Sequence, residues 1–180
     1  MTVRVPEHER LSLGNGVALI LVPSREVPLV TFDAVLRGGG LGDPASRPGV
    51  ASLVAGLLEK GAGERNAYAF ADVVEGVGGS FGAGAGPEAI TVRGQFLARD
   101  QQLMLELLAD ALLRPLLEGQ ELEELAARHI GLIKAAKDSD PAELIGTYGR
   151  AFLFGSHPYG RPVFGSEASL AAIDREDVQR

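Results

Sequence analysis

Glycine and proline cut this chain into short pieces, and the order of those pieces restricts the fold more than anything else in it. Gly14-Asn15-Gly16 is a turn signal, and Val17 to Val22 behind it is an apolar run that reads as a buried strand, broken at Pro23. Val27 to Leu36 alternates and branches at Cβ enough for a second strand, ending at Arg37-Gly38-Gly39-Gly40. A Gly- and Pro-rich loop then leads into a helix read from Pro48 to Gly61, with Pro48 in the first turn, where its missing N–H would be unpaired anyway. Asn66 is placed to cap a second helix through Val74, which Gly76 and Gly78-Gly79 stop. Ser80 to Ala85 and Ala89 to Leu97 read as a strand pair. Beyond Asp100 the period becomes helical. Leu103, Met104, Leu107, Leu108, Ala111 and Leu112 line one helix as far as Pro115, and further helices follow from about Gln120 to Lys137 and from Asp140-Pro141 to about Phe154. Short helices begin near Ser166 and Asp174. Strands, helices, strands and then mostly helices imply an α+β sandwich, with helices packed on one face of a mostly antiparallel sheet.

At 180 residues and 46% hydrophobic content the chain suits one domain, spanning 1–180, with a sizeable core. A formal net charge of -7, with 17 scattered Lys and Arg, argues against a nucleic-acid surface, which needs a basic stripe. There is no cysteine, which removes disulfides and thiolate metal sites from consideration. The opening stretch from Met1 to Arg10 has no apolar h-region, so a cytoplasmic location is expected ahead of export, and no run reaches the apolar length of a membrane span.

The helix read from Pro48 to Gly61 ends in Lys60-Gly61, a frame that resembles the metal helix of the M16 peptidase family, and that resemblance puts the family's metal-site positions at Ser52, Ala55 and Gly56. Positions i and i+4 lie one above the other on a helix, so two imidazoles at 52 and 56 would face one ion, with a carboxylate at 55 to polarise water. A neutral serine hydroxyl is a poor zinc ligand, and Ala and Gly offer no donor.

The surrounding frame resembles the metal helix of the M16 peptidase family, the pitrilysin, insulinase and mitochondrial processing peptidase type of zinc endopeptidase. There, similar Gly, Ala, Leu and closing Lys-Gly positions flank His-x-x-Glu-His. The resemblance runs nearly end to end, through Asn15-Gly16, Arg37-Gly38-Gly39, Gly78-Gly79-Ser80-Phe81, Asp140-Pro141, His157-Pro158-Tyr159-Gly160-Arg161 and Asp174 to Val178. It implies a LuxS/processing-peptidase-like metallohydrolase sandwich. It also implies that the third metal ligand, a Glu about eighty residues downstream, would fall at Ile133 or a neighbour. No Asp or Glu lies between Glu124 and Asp138. The resemblance therefore implies a degenerate copy of the N-terminal domain, with no zinc and no catalytic residue at Ser52, Ala55, Gly56 and Ile133. Family halves continue past the Asp-Val helix and are followed by a similar second domain, so a chain truncated at its C-terminal end is expected.

By the same resemblance, the strand Ser80, Phe81, Gly82, Ala83, Gly84, Ala85 is the edge that takes up extended peptide by strand addition, which uses backbone groups and needs no zinc. The family commonly has Asn where this chain has Gly82. A proline at Gly84 is expected to block such pairing. The alternative reading of the segment is a strand kept small for close packing. Of the histidines, His8 is near a terminus, His129 is on an Ala-rich helix and His157 is in a turn, with no i, i+4 pair among them. Glu59 reads as a solvated or capping carboxylate, and the His157 to Arg161 segment as a structural loop whose Tyr159 and Arg161 pack and hydrogen-bond locally. The expected function is a non-catalytic subunit or half that pairs with an active M16 copy, or with itself, and helps to hold peptide. The alternatives are a working zinc endopeptidase with an unrecognised ligand set, and a purely structural scaffold.

Overall fold

The computed structural model describes residues 6–139 and 141–180. The opening Met1 to Val5 and Asp140 of the Asp-Pro step lie outside the described residues. The first strands are β1 (Glu9–Ser12) and β2 (Ala18–Leu21), joined around the Asn15-Gly16 turn as an antiparallel hairpin with Arg10 opposite Ile20. The expectation of a buried strand here is wrong. β1 and β2 form a two-stranded sheet of their own, and Ile20, at 58% exposed, stands in solvent with Leu19 and Leu21. An apolar run reports that something covers a strand, and among the described residues nothing covers this one.

The main sheet has three strands in the order β3 (Leu29–Arg37), β7 (Ala89–Leu97), β6 (Ser80–Ala85), antiparallel throughout. β3 lies along the full length of β7, from Leu29 opposite Leu97 to Arg37 opposite Ala89. Between β3 and β6 in the chain come α1 (Val50–Leu57), the two-residue strands β4 (Gly61–Ala62) and β5 (Arg65–Asn66), and α2 (Ala67–Gly76). The remainder is helical: α3 (Gln101–Leu113), α4 (Gly119–Ser139), α5 (Ile145–Phe154) behind a 3-10 turn at Pro141–Leu144, α6 (Glu167–Leu170) and α7 (Arg175–Gln179).

α1 is shorter than its sequence suggests, because Gly49 caps it at φ 105° and Gly61, at φ 106°, already belongs to β4. Pro48 therefore precedes the first turn. A Cβ on Gly49 would lie 2.9 Å from the Cα of Gly165, so glycine is required there both by conformation and by space. Asn66 caps α2 as expected, its Oδ1 accepting from Ala69 N–H at 2.9 Å.

Two apolar clusters hold these elements. Val50, Leu53 and Leu57 of α1 meet Leu122, Leu125 and Ala126 of α4, with Leu170, Ile173 and Val178 from the C-terminal turns. Leu53 and Leu57 are fully buried, each contributing about 1.5–3 kcal/mol relative to exposure. The second cluster sets Phe70 and Val74 of α2 and Met104, Leu107 and Ala111 of α3 against Phe96 of the sheet, extended by Phe81, whose ring meets Phe70 edge-on at 5.1 Å. Asp110 ties α3 to β5 by accepting from Arg65 at 3.1 Å and from Arg114 at 2.5 Å. α5 is different: Ile145, Tyr148, Phe152 and Leu153 are all exposed, Phe152 at 89%. No helix among the described residues is long and apolar enough to cross a membrane.

His129 is 8% exposed, its ring stacks on Phe164 at 4.0 Å between centroids, and its Nδ1 has no hydrogen-bond partner among the described residues. Burial, with Arg128 beside it, holds its pKa below the ordinary imidazole value. The unfolded chain then binds the proton more readily than the folded one, so the stability present above the unfolded value of about 6.5 is lost as pH falls from there toward the folded value. The urea midpoint is expected to drop between about pH 7 and pH 5, and His129→Phe to flatten that slope.

Candidate functional site

The site is built on α1, and α1 is held by a residue outside it. Gly49 has no side chain to cap the helix, so its first N–H groups are satisfied from the preceding loop. Asp43 Oδ2 accepts from Gly49 N–H at 2.7 Å, and Oδ1 accepts from Ala51 N–H at 2.8 Å. Burial raises the Asp43 pKa, against the lowering effect of those N–H groups, of Val50 and of Arg161. Arg161 Nη1 also donates to the Asp43 carbonyl at 3.2 Å, and Tyr159 OH donates to Glu88 Oε1. The expectation that Tyr159 and Arg161 bond locally is wrong: their partners, Glu88 and Asp43, lie far away in the chain. His157 accepts from Tyr159 N–H at the head of a 3-10 turn.

The positions of the expected metal cradle carry no ligands and have been repacked. Ala55 is 1% exposed, so a carboxylate placed there would be buried. A Cβ on Gly56 would stand 2.6 Å from Cδ2 of Leu125, so the leucine of α4 occupies the space that a side chain at 56 would need. Ile133 packs as a partly buried apolar residue against the same cluster. These residues do not fit a zinc ion. Among the described residues, no group of three or more His, Asp or Glu side chains could hold a metal. The histidines are dispersed: His8 is exposed, His129 is stacked in the core and His157 caps a turn.

β6, by contrast, lies at the end of the sheet, and among the described residues no strand pairs its outer edge. Gly86 N–H donates to Ala89 O at 2.7 Å, so by alternation Gly84 and Gly82 point their N–H groups inward to β7, while Phe81, Ala83 and Ala85 point theirs outward. Proline at Gly84 would therefore break the sheet ladder and leave the edge intact, which corrects the expectation that it blocks strand addition. A Cβ at Gly82 would meet only Glu59 Oε1, at 3.9 Å, and one at Gly84 would meet nothing within 4 Å. Close packing does not demand glycine at either position. It does at Gly79 and Gly94, where a Cβ would strike Phe96 at 2.6 Å and Phe32 at 2.4 Å. Gly82 to Gly86 and the residues Thr91, Arg93 and Glu59 surround an open groove of about 480 Å³ along this edge.

Sequence reasoning missed the helix-capping role of Asp43 and the contact of Leu125 with Gly56. An acid a few residues upstream of a capless glycine is a signal that could have found the first. The second is a tertiary contact that helical periodicity alone does not report.

The profile of the insulinase family, peptidase family M16, matches residues 20–165. The chain belongs to this family. An uncharacterised zinc protease of Mycobacterium leprae is 34% identical over 175 residues, which cover 94% of this chain and 38% of that protein. Another, from Mycobacterium bovis, is 31% identical over 171 residues, covering 94% and 39%. The chain thus spans 38–39% of the length of these relatives. Among solved structures, a peptidase M16 inactive domain from Pseudomonas fluorescens superposes with a TM-score of 0.89 at 23% identity, over 96% of this chain and 42% of that one. Pitrilysin superposes at 0.82 and 19% identity, over 96% and 19%. Both share the M16 fold, as the α+β sandwich reading expects.

Two outcomes follow for this M16 domain. Asp43→Ala, which strips two buried N–H groups of their acceptor, is expected to lower unfolding stability by about 1–3 kcal/mol in urea titration. The variant Ser52→His, Ala55→Glu, Gly56→His, Ile133→Glu is expected to melt at a lower temperature and to carry no stoichiometric zinc by elemental analysis. Adding Leu125→Ala is expected to recover part of the lost melting temperature.

Proposed function

We propose that this chain is a non-catalytic M16 domain that pairs with a second domain or subunit and helps to hold extended peptide along β6. One contrast carries the reading: Leu125 stands against Gly56 of the metal-helix frame, while β6 has an outer edge that no strand pairs among the described residues, with backbone N–H groups directed outward. Zinc chemistry needs side chains that are missing, whereas strand addition needs backbone groups that are present. Pairing is supported by the exposed apolar residues of α5 and of the β1–β2 hairpin, with Phe152, Leu153 and Ile20 more than half exposed. The Pseudomonas fluorescens neighbour described as an inactive domain agrees with a non-catalytic role.

The relatives called zinc proteases favour a second reading, an active endopeptidase with another ligand set. Elemental analysis and a peptide-cleavage assay with and without chelator separate the two. Stoichiometric zinc with chelator-sensitive cleavage by this chain would overturn the proposal. For the peptide-holding part, Ala85→Pro removes an outward N–H while leaving the β7 ladder whole. It is expected to weaken binding of unstructured peptides by about tenfold in fluorescence titrations, with an unchanged melting temperature. Undiminished binding would remove β6 from the function and leave a purely structural role.

A further inference from the structure

Glu59 lies just beyond the last turn of α1, and its side chain reaches across to the sheet. Its Oε1 accepts from Ala83 N–H at 2.7 Å, a half-buried contact between residues 24 apart in sequence. Ala83 is the middle one of the outward-facing donors on β6, flanked by Phe81 and Ala85. A strand adding to this edge would bring a backbone carbonyl to that same hydrogen. The carboxylate oxygen already stands where that carbonyl would have to go, and a charged acceptor makes a stronger bond than a neutral one.

Glu59 forms no ion pair among the described residues that would fix it for another purpose. Lys60 reaches Glu121, and Arg93, the basic residue of the groove, is engaged with Asp33 at 2.9 Å. One face of the strand is also open beside it, since Gly82 presents only hydrogen toward Glu59. The carboxylate thus has both a reason to sit on the edge and room to leave it.

We infer that Glu59 is a latch on the β6 edge: it occupies the central backbone donor in the free protein and must be displaced before an extended peptide can pair there. The inference rests on the peptide-holding reading and adds to it the residue that limits affinity. Binding under this arrangement exchanges one acceptor for another at the Ala83 N–H, so that of the three outward donors only those of Phe81 and Ala85 gain a new bond.

The test uses the whole chain, with short, unstructured, fluorescein-labelled peptides as the probe. Glu59→Ala is expected to bind them about tenfold more tightly than the unsubstituted chain, and Glu59→Gln, which keeps an oxygen acceptor but loses the charge, to fall between. In the peptide-free protein, hydrogen exchange of the Ala83 amide is expected to accelerate in Glu59→Ala at an unchanged melting temperature. If the unsubstituted chain binds peptide and Glu59→Ala binds equally or less well, the latch is overturned and peptide holding stands. If neither the unsubstituted chain nor either variant binds, both readings fall. An Ala83 amide that exchanges equally fast with and without Glu59 overturns the latch whatever the titrations give.

Discussion

One buried carboxylate under the head of α1 supports the rest of the architecture. α1 packs against β6 and β7 on the sheet side and against α4 and α7 on the other, so its position sets the distance between the sheet and the C-terminal helices. Its N-terminus has a glycine where a capping oxygen would normally stand, and that glycine is required by the close passage of Gly165. Asp43 resolves the conflict by reaching in from the preceding loop, and Arg161 holds the backbone of Asp43 in turn. A salt bridge from Arg47 to Asp177 at 3.2 Å joins the same loop to α7. The loop between β3 and α1 is therefore a clamp whose partners lie more than a hundred residues away in the chain.

That placement decides what packs around the metal-helix positions of this M16 fold. A metal site needs three or four side chains held at fixed distances, and each lost ligand removes affinity that packing does not restore. Here the corresponding positions meet apolar side chains. Leu125 lies against Gly56, and Ile133 joins the cluster that Leu53 and Leu57 anchor. Burial of this kind stabilises the α1–α4 pair through apolar contact.

The parts of the structure legible in the sequence are those whose signal is local. Strands β3, β6 and β7, the Asn66 cap, the α3 period and the absence of ligands at 52, 55 and 56 all follow from residues read within a few positions of each other. The errors fall where a distant partner decides. Val17 to Val22 reads as buried from composition, yet burial depends on a neighbour that the hairpin lacks. The boundary of α1 is set by Gly49 against Gly165, and the inward direction of the Gly84 N–H by register against β7. Fold class survives such errors because it depends on element order, whereas a site depends on which atoms meet.

The glycines of β6 show how far that distinction reaches. In sequence, Gly78 to Gly86 is one Gly-rich segment with a single character. In the structure its members separate by cause: Gly79 is small because Phe96 leaves no room, and Gly82 and Gly84 are small where there is room to spare. Glycine in a strand interior gives up side-chain packing and loses more entropy on folding than alanine, a cost of about 0.5–1 kcal/mol at each position. The Ala-Gly alternation leaves the groove side of β6 bare of side chains, while Phe81 on the opposite side fastens the strand to the core. A strand anchored by one aromatic ring and otherwise stripped to backbone can admit another backbone beside it, and that is the property on which any peptide-holding role for this edge depends.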